Sequence, residues 1–129
     1  MNYKEFESSS FKFKTCHRDD MYHVIRDNDD TRMFRHVVDI FLIAFSIGFR
    51  KGSRKTIGSG SINHVNAVNI KTDKQDLIIL LMLNRHKDLE DADALWGAVG
   101  EYAEYGIEVL CESLKRCDWI LDVDDLMNI

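Results

Sequence analysis

Proline is absent from all 129 residues, where ordinary usage of about 5% would supply roughly six. Proline breaks helix interiors, so its absence suits uninterrupted helices joined by glycine and polar turns. Disulfide scaffolding is also missing. Cys16, Cys111 and Cys117 form no CxxC pair, and an odd count makes a poor disulfide framework. No apolar stretch follows a basic start, so no signal peptide is expected. The longest apolar run, Ile40 to Phe49, is interrupted by Ser46 and Gly48 and preceded by Arg35, His36 and Asp39. It spans about half a bilayer. These absences point to a soluble, reduced, cytoplasmic protein without a membrane partner.

Recognisable catalytic and metal patterns are lacking too. His17, His23, His36, His64 and His86 are scattered, with no HExxH or C-x₂-C spacing. The acidic run from Asp27 resembles a calcium loop through Asp29 and Thr31. It fails at Arg32, where the turn glycine belongs, and at Val38, where a bidentate glutamate belongs. There is no G-x-S-x-G elbow and no phosphate-cradling G-x-x-x-x-G-K-[ST] loop. No catalytic, cofactor-binding or metal-binding residue is expected, and the chain does not read as an enzyme.

What the chain does have is charge, unevenly placed. Its formal net charge is −5, but residues 1–60 carry +3 and residues 61–129 carry −8. Arg50, Lys51, Arg54 and Lys55 crowd into six residues at a glycine-rich turn. Four phosphate contacts there would support only weak, non-specific DNA binding, with a salt slope of at most about −3.6. The other reading is complementation of a helix C-terminal dipole. In the acidic half, Glu101, Glu104, Glu108 and Glu112 recur at helical spacing, forming a solvated face or a dock for a basic partner.

Apolar periodicity predicts a mainly α protein, one helical domain over 1–129. A core helix is expected over about 33–49, ending at Gly52, with the acidic cluster before it supplying N-caps. A second is expected over about 74–84 with Leu77 to Leu83 buried, and a longer one over about 92–116. The alternation Phe11-Lys12-Phe13-Lys14 reads as a short strand after the serine run Ser8-Ser9-Ser10. It is expected to pair with an extended piece near 62–70, a segment equally readable as a short helix. Gly97, Gly100 and Gly106 cost the long helix roughly 1 kcal/mol each relative to alanine, which suggests close helix approach. The amphipathic tail, with Trp119 and Leu126, docks on its own core or on a partner.

Two stretches carry a family resemblance. One is Asp39-Ile40-Phe41-Leu42-Ile43-Ala44-Phe45-Ser46-Ile47-Gly48-Phe49-Arg50-Lys51-Gly52-Ser53-Arg54. The other is Asp76-Leu77-Ile78, followed by Glu101-Tyr102-Ala103-Glu104-Tyr105-Gly106-Ile107-Glu108-Val109-Leu110. Over roughly residues 33–114 the chain resembles the small helical proteins of bacterial DNA phosphorothioation systems, called Dnd system-associated protein 4. It departs from that pattern at Tyr105, where the family has glycine, and at Ile107, in place of leucine. The resemblance implies an accessory or adaptor protein of an anti-phage defence system, with no catalytic residues to carry over. Its expected partners are a larger ATPase- or nuclease-type defence protein, a second copy of itself, or both. The partner-contact candidates are Glu101, Glu104, Glu108, Glu112, Trp119 and Leu126. The alternative is a small DNA-binding module using Arg50, Lys51, Arg54 and Lys55.

Overall fold

The computed structural model describes Phe6 and residues 11–128; the serine run at 8–10 lies outside the described residues. The protein is mainly α. Strand β1 (Lys12–Thr15) leads through a π-helical turn into α1 (His23–Asp27) and then α2 (Val37–Lys51). A loop brings the chain to β2 (Ile62–Asn66) and a 3-10 turn (Ala67–Asn69). Helices α3 (Thr72–Arg85), α4 (Ala92–Arg116) and α5 (Val123–Met127) complete it. Among the described residues no helix is long and apolar enough to cross a membrane.

The strands pair antiparallel, with Phe13 opposite Val65 and Thr15 opposite Ile62, and a bulge between Phe13 and Lys14. Alternation does here what period two requires: Phe13 and Thr15 are buried while Lys12 and Lys14 face solvent. Phe13 then packs on Phe41, with ring centroids 4.4 Å apart. Both readings of 62–70 are realised in succession, a strand followed by one 3-10 turn.

Helix α4 has the bounds its periodicity indicates, and its apolar stripe is buried throughout. Helix α2 begins at Val37 rather than near residue 33. Arg32 takes a left-handed φ of 57°, and Asp29 accepts from the Phe34 backbone N–H. The acidic cluster therefore holds a turn instead of capping the helix. The first turn of α2 is closed by Asp39, whose carboxylate accepts from the His36 N–H at 3.3 Å. Gly52 ends it at φ 67°, the left-handed exit that glycine adopts at no steric cost.

The α2–α4 crossing is the centre of the molecule, and glycine makes it. A Cβ on Gly48 would lie 2.0 Å from the Tyr102 carbonyl oxygen. One on Gly106 would lie 1.7 Å from that of Ala44. Backbone thus rests directly on backbone at two points. Gly97 and Gly100 have different surroundings: the first meets nothing within 4 Å, the second only ordinary contacts with Phe13 and Ile57.

Helix α3 departs from expectation. Ile78, Ile79 and Met82 are buried, but Leu77, Leu80 and Leu81 are 57%, 58% and 37% exposed. Seven consecutive apolar residues cover nearly the whole circumference of a helix at 100° per residue. Helix α3 packs through one stripe only, and no described residue covers the opposite one.

After α4 the chain turns through Asp118 and Trp119, both with positive φ. The Trp119 N–H reaches back to the Leu114 carbonyl at 2.7 Å, closing a Schellman-type exit with aspartate where glycine is usual. The tail docks on its own core. Trp119, Leu121 and Leu126 pack against it, and Asp125 accepts from Ser113 and from Arg116 at 2.8 Å.

Candidate interaction surfaces

The basic turn and the acidic helix, distant in sequence, meet in the fold. Lys55 donates its backbone N–H to the Glu101 carbonyl at 3.0 Å, and its ammonium pairs with the Glu108 carboxylate. That hydrogen bond to Glu108 holds the Lys55 pKa above its ordinary value. Arg54 lies 3.7 Å from the Glu101 carboxylate and 5.7 Å from the centroid of the Tyr102 ring. His17 stands between Asp20 and Glu108, with ring nitrogens 3.2 and 3.3 Å from their carboxylates. Much of the positive turn is therefore spent on the negative helix. Arg50 makes no ion pair among the described residues and lines a cleft considered below.

Glu104 corrects the expectation of a uniformly exposed acidic row. It is 2% exposed. Its carboxylate accepts from the Thr15 hydroxyl at 2.5 Å and from the Cys16 N–H at 2.9 Å, tying the end of β1 to the middle of α4. Its position puts it out of a partner's reach. Glu112 is exposed and pairs with Arg116 at 3.1 Å, one helical turn on. Spacing alone could not separate these glutamates, because the partner that buries Glu104 lies 89 residues away.

The exposed apolar surface runs across three helices. Between α2 and α5 lies a cleft of about 210 Å³. Ile43, Ser46 and Ile47 form one wall, Val123, Leu126 and Met127 the other, with Arg50 and Lys51 at one end. The Ser46 hydroxyl donates to the Leu42 carbonyl at 2.9 Å, so it brings no unsatisfied polar group into the cleft. On the other side of the Ile43–Ser46 ridge, a second depression reaches Leu77, Ile78 and Leu81 of α3. Of the sequence candidates, Leu126, Arg50 and Lys51 converge on the first cleft, while Trp119 packs on the core. Sequence reasoning did not single out Ile43, Ile47, Val123 or Met127 as surface residues. Its available signal was the breadth of the α2 apolar face, wider than one crossing partner can cover.

At the end of α2, Arg85 donates to the Phe49 carbonyl, with its guanidinium 3.6 Å from the Phe49 ring centroid. His86 hydrogen-bonds the Tyr102 hydroxyl at 2.6 Å. Burial, then the Arg54 charge, lowers the His86 pKa. These contacts lock the α2 and α3 termini onto α4 beside Arg54.

His64 is the one described side chain whose buried polar atoms have no hydrogen-bond partner, at both ring nitrogens. Its ring lies 4.5 Å from that of Tyr22 and 5.7 Å from that of Phe41. Burial, then the charges of Arg18 and His23, push its pKa down from 6.5 to about 4. The folded chain therefore resists the proton that the unfolded chain accepts below pH 6.5. Stability is whole above that pH and drains away as pH falls to about 4, by roughly 3 kcal/mol at the limit. Urea titrations at pH 7 and pH 4 should show this drop, and His64→Leu should flatten it. An unchanged drop in the variant would place the acid sensitivity elsewhere.

Comparison with protein-family models, with curated proteins and with solved structures returns no significant match.

Proposed function

We propose that this protein is a non-catalytic accessory subunit that works by docking onto a larger protein. The observation that carries this reading is the cleft between α2 and α5. It offers apolar walls of side chains that the core covers only in part, with Arg50 and Lys51 at one end. Such a surface suits an amphipathic helix whose apolar face enters the cleft and whose acidic flank meets the arginine. The motif resemblance favours a partner of the ATPase or nuclease type from a bacterial anti-phage defence system. The alternative, a DNA-binding module, loses ground because Arg54 and Lys55 are committed to Glu101 and Glu108.

Val123 and Met127 are 62% and 46% exposed, so charge can be introduced there without disturbing the core. Tagged protein purified from its native cell should retain a stoichiometric partner of the ATPase or nuclease class. Val123→Glu with Met127→Glu should abolish that retention, while Arg54→Glu with Lys55→Glu should leave it intact. Retention indifferent to the cleft pair, or a protein that retains only duplex DNA, would overturn the proposal.

A further inference from the structure

Strand β1 has a partner on one side only. The Phe11 carbonyl accepts from the Ala67 N–H at 2.8 Å, which turns the backbone of Phe11, and by alternation that of Phe13, toward β2. The residue skipped by the register is His64, on β2, so β1 itself stays regular. The backbone N–H and C=O groups of Lys12 and Lys14 therefore point to the outer edge. No described group outside the ladder hydrogen-bonds to them. An open row of this kind is a template for a further strand.

A groove of about 470 Å³ follows that edge. Phe11, Lys12, Phe13 and Lys14 all line it, and their side chains alternate in direction, so the groove runs along the strand rather than over one face. Ile57 and, from α4, Trp96 and Gly97 line it as well. The Trp96 indole N–H already donates to the Phe6 carbonyl at 2.7 Å, so it leaves no unmet donor there. A Cβ on Gly97 would meet nothing within 4 Å. This glycine costs the helix propensity without serving any internal contact, and it leaves room beside the strand.

We propose that this edge takes an extended acidic segment of another protein by strand addition, with Asp or Glu alternating with apolar residues. Backbone pairing supplies the attachment, and the side chains supply the choice of guest. Directly opposite residues of neighbouring strands share a face. Guest residues opposite Lys12 and Lys14 thus point to solvent beside two exposed lysines that have no ion pair among the described residues. Carboxylates suit those positions. The guest residue opposite Phe13 points with it toward α4 and the space at Gly97, where an apolar side chain fits. A second copy of β1 is the wrong guest, because lysine would then lie against lysine, and like charges directly opposite are destabilising. The groove shares no lining residue with the α2–α5 cleft, so this contact stands or falls independently of docking there.

The test titrates a short peptide of alternating glutamate and valine into the full chain and follows backbone amides by NMR. The Lys12 and Lys14 amides should gain protection from hydrogen exchange, while that of Phe13, already facing β2, should change little. A lysine–valine peptide should bind about tenfold more weakly, and Lys12→Glu with Lys14→Glu should reverse that preference. Methylating alternate backbone nitrogens of the peptide removes its donors and should abolish binding. Gly97→Leu fills the open space and should weaken binding about tenfold without lowering the unfolding midpoint. Absence of protection at Lys12 and Lys14 overturns the proposal, as does a methylated peptide that binds equally well. Protection that rises with protein concentration alone would assign the edge to a second copy. Protection by a single-stranded oligonucleotide but not by the peptide would assign it to nucleic acid. Either result overturns the proposal too.

Discussion

Gly106→Ala should cost about 4 kcal/mol of folding stability, although alanine is the better helix former by about 1 kcal/mol. The new methyl carbon would lie 1.7 Å from the Ala44 carbonyl oxygen, roughly half the separation two such atoms tolerate. Neither side can yield locally, because the obstacle is the backbone of a packed helix rather than the end of a flexible side chain. The helices must separate, and the loss spreads to Phe45, Tyr102 and Ile107 around the crossing. Overpacking usually costs 1–3 kcal/mol; a backbone clash at the centre of the core belongs above that range. Gly97→Ala provides the control on the same helix. With nothing within 4 Å of its Cβ position, it should gain up to about 1 kcal/mol. Urea denaturation of both variants measures the contrast. A Gly106→Ala protein as stable as the native chain would show that the crossing is looser than described.

The second large effect belongs to Glu104. Glu104→Ala leaves the buried Thr15 hydroxyl and the part-buried Cys16 N–H without their acceptor and opens a cavity beside them. Each orphaned buried donor costs roughly 1–3 kcal/mol, so the sum should reach about 3–4 kcal/mol. Glu104→Gln preserves volume and one acceptor but turns an amide N–H₂ toward one of the two donors, and should cost about half as much. The ordering of these two variants, read from denaturation midpoints, is diagnostic. Equal losses would mean that volume, not hydrogen bonding, holds the β1 end on α4. Substitution of exposed Glu112, whose partner is one turn away on the same helix, should change stability by less than about 0.5 kcal/mol.

These two sites explain how the charge asymmetry of the chain is resolved. The positive first half does not present a face opposite to the negative second half. Arg54, Lys55 and His17 lie along Glu101 and Glu108, and Glu104 binds β1 from beneath them. Electrostatic complementarity here closes the molecule on itself. The exposed apolar surface lies elsewhere, in the α2–α5 cleft and the leucine stripe of α3.

Three helices and the strand pairing were legible from periodicity, because hydrophobic spacing is set by local geometry that every residue reports. The α4 bounds and the Gly52 exit were readable for the same reason. The start of α2 was not, since Asp29 satisfied a turn where a cap was expected, and both uses draw on the same acidic side chain. Nor was the burial of Glu104 or the exposure of Leu80 accessible to sequence reading. A glutamate at helical spacing carries no mark of the threonine 89 residues away that will cover it. A leucine in a seven-residue apolar run carries no mark of which neighbour the helix will meet.

The missing prolines, the apolar periodicity and Gly52 were thus enough to mark unbroken helices and the sharp exit of α2. Only the tertiary structure decided which glycine is a contact and which is merely tolerated, and which charges face solvent. It also decided which leucines stay outside the core. Periodicity constrains a residue's position on its own helix, whereas burial depends on what the rest of the chain brings against that position.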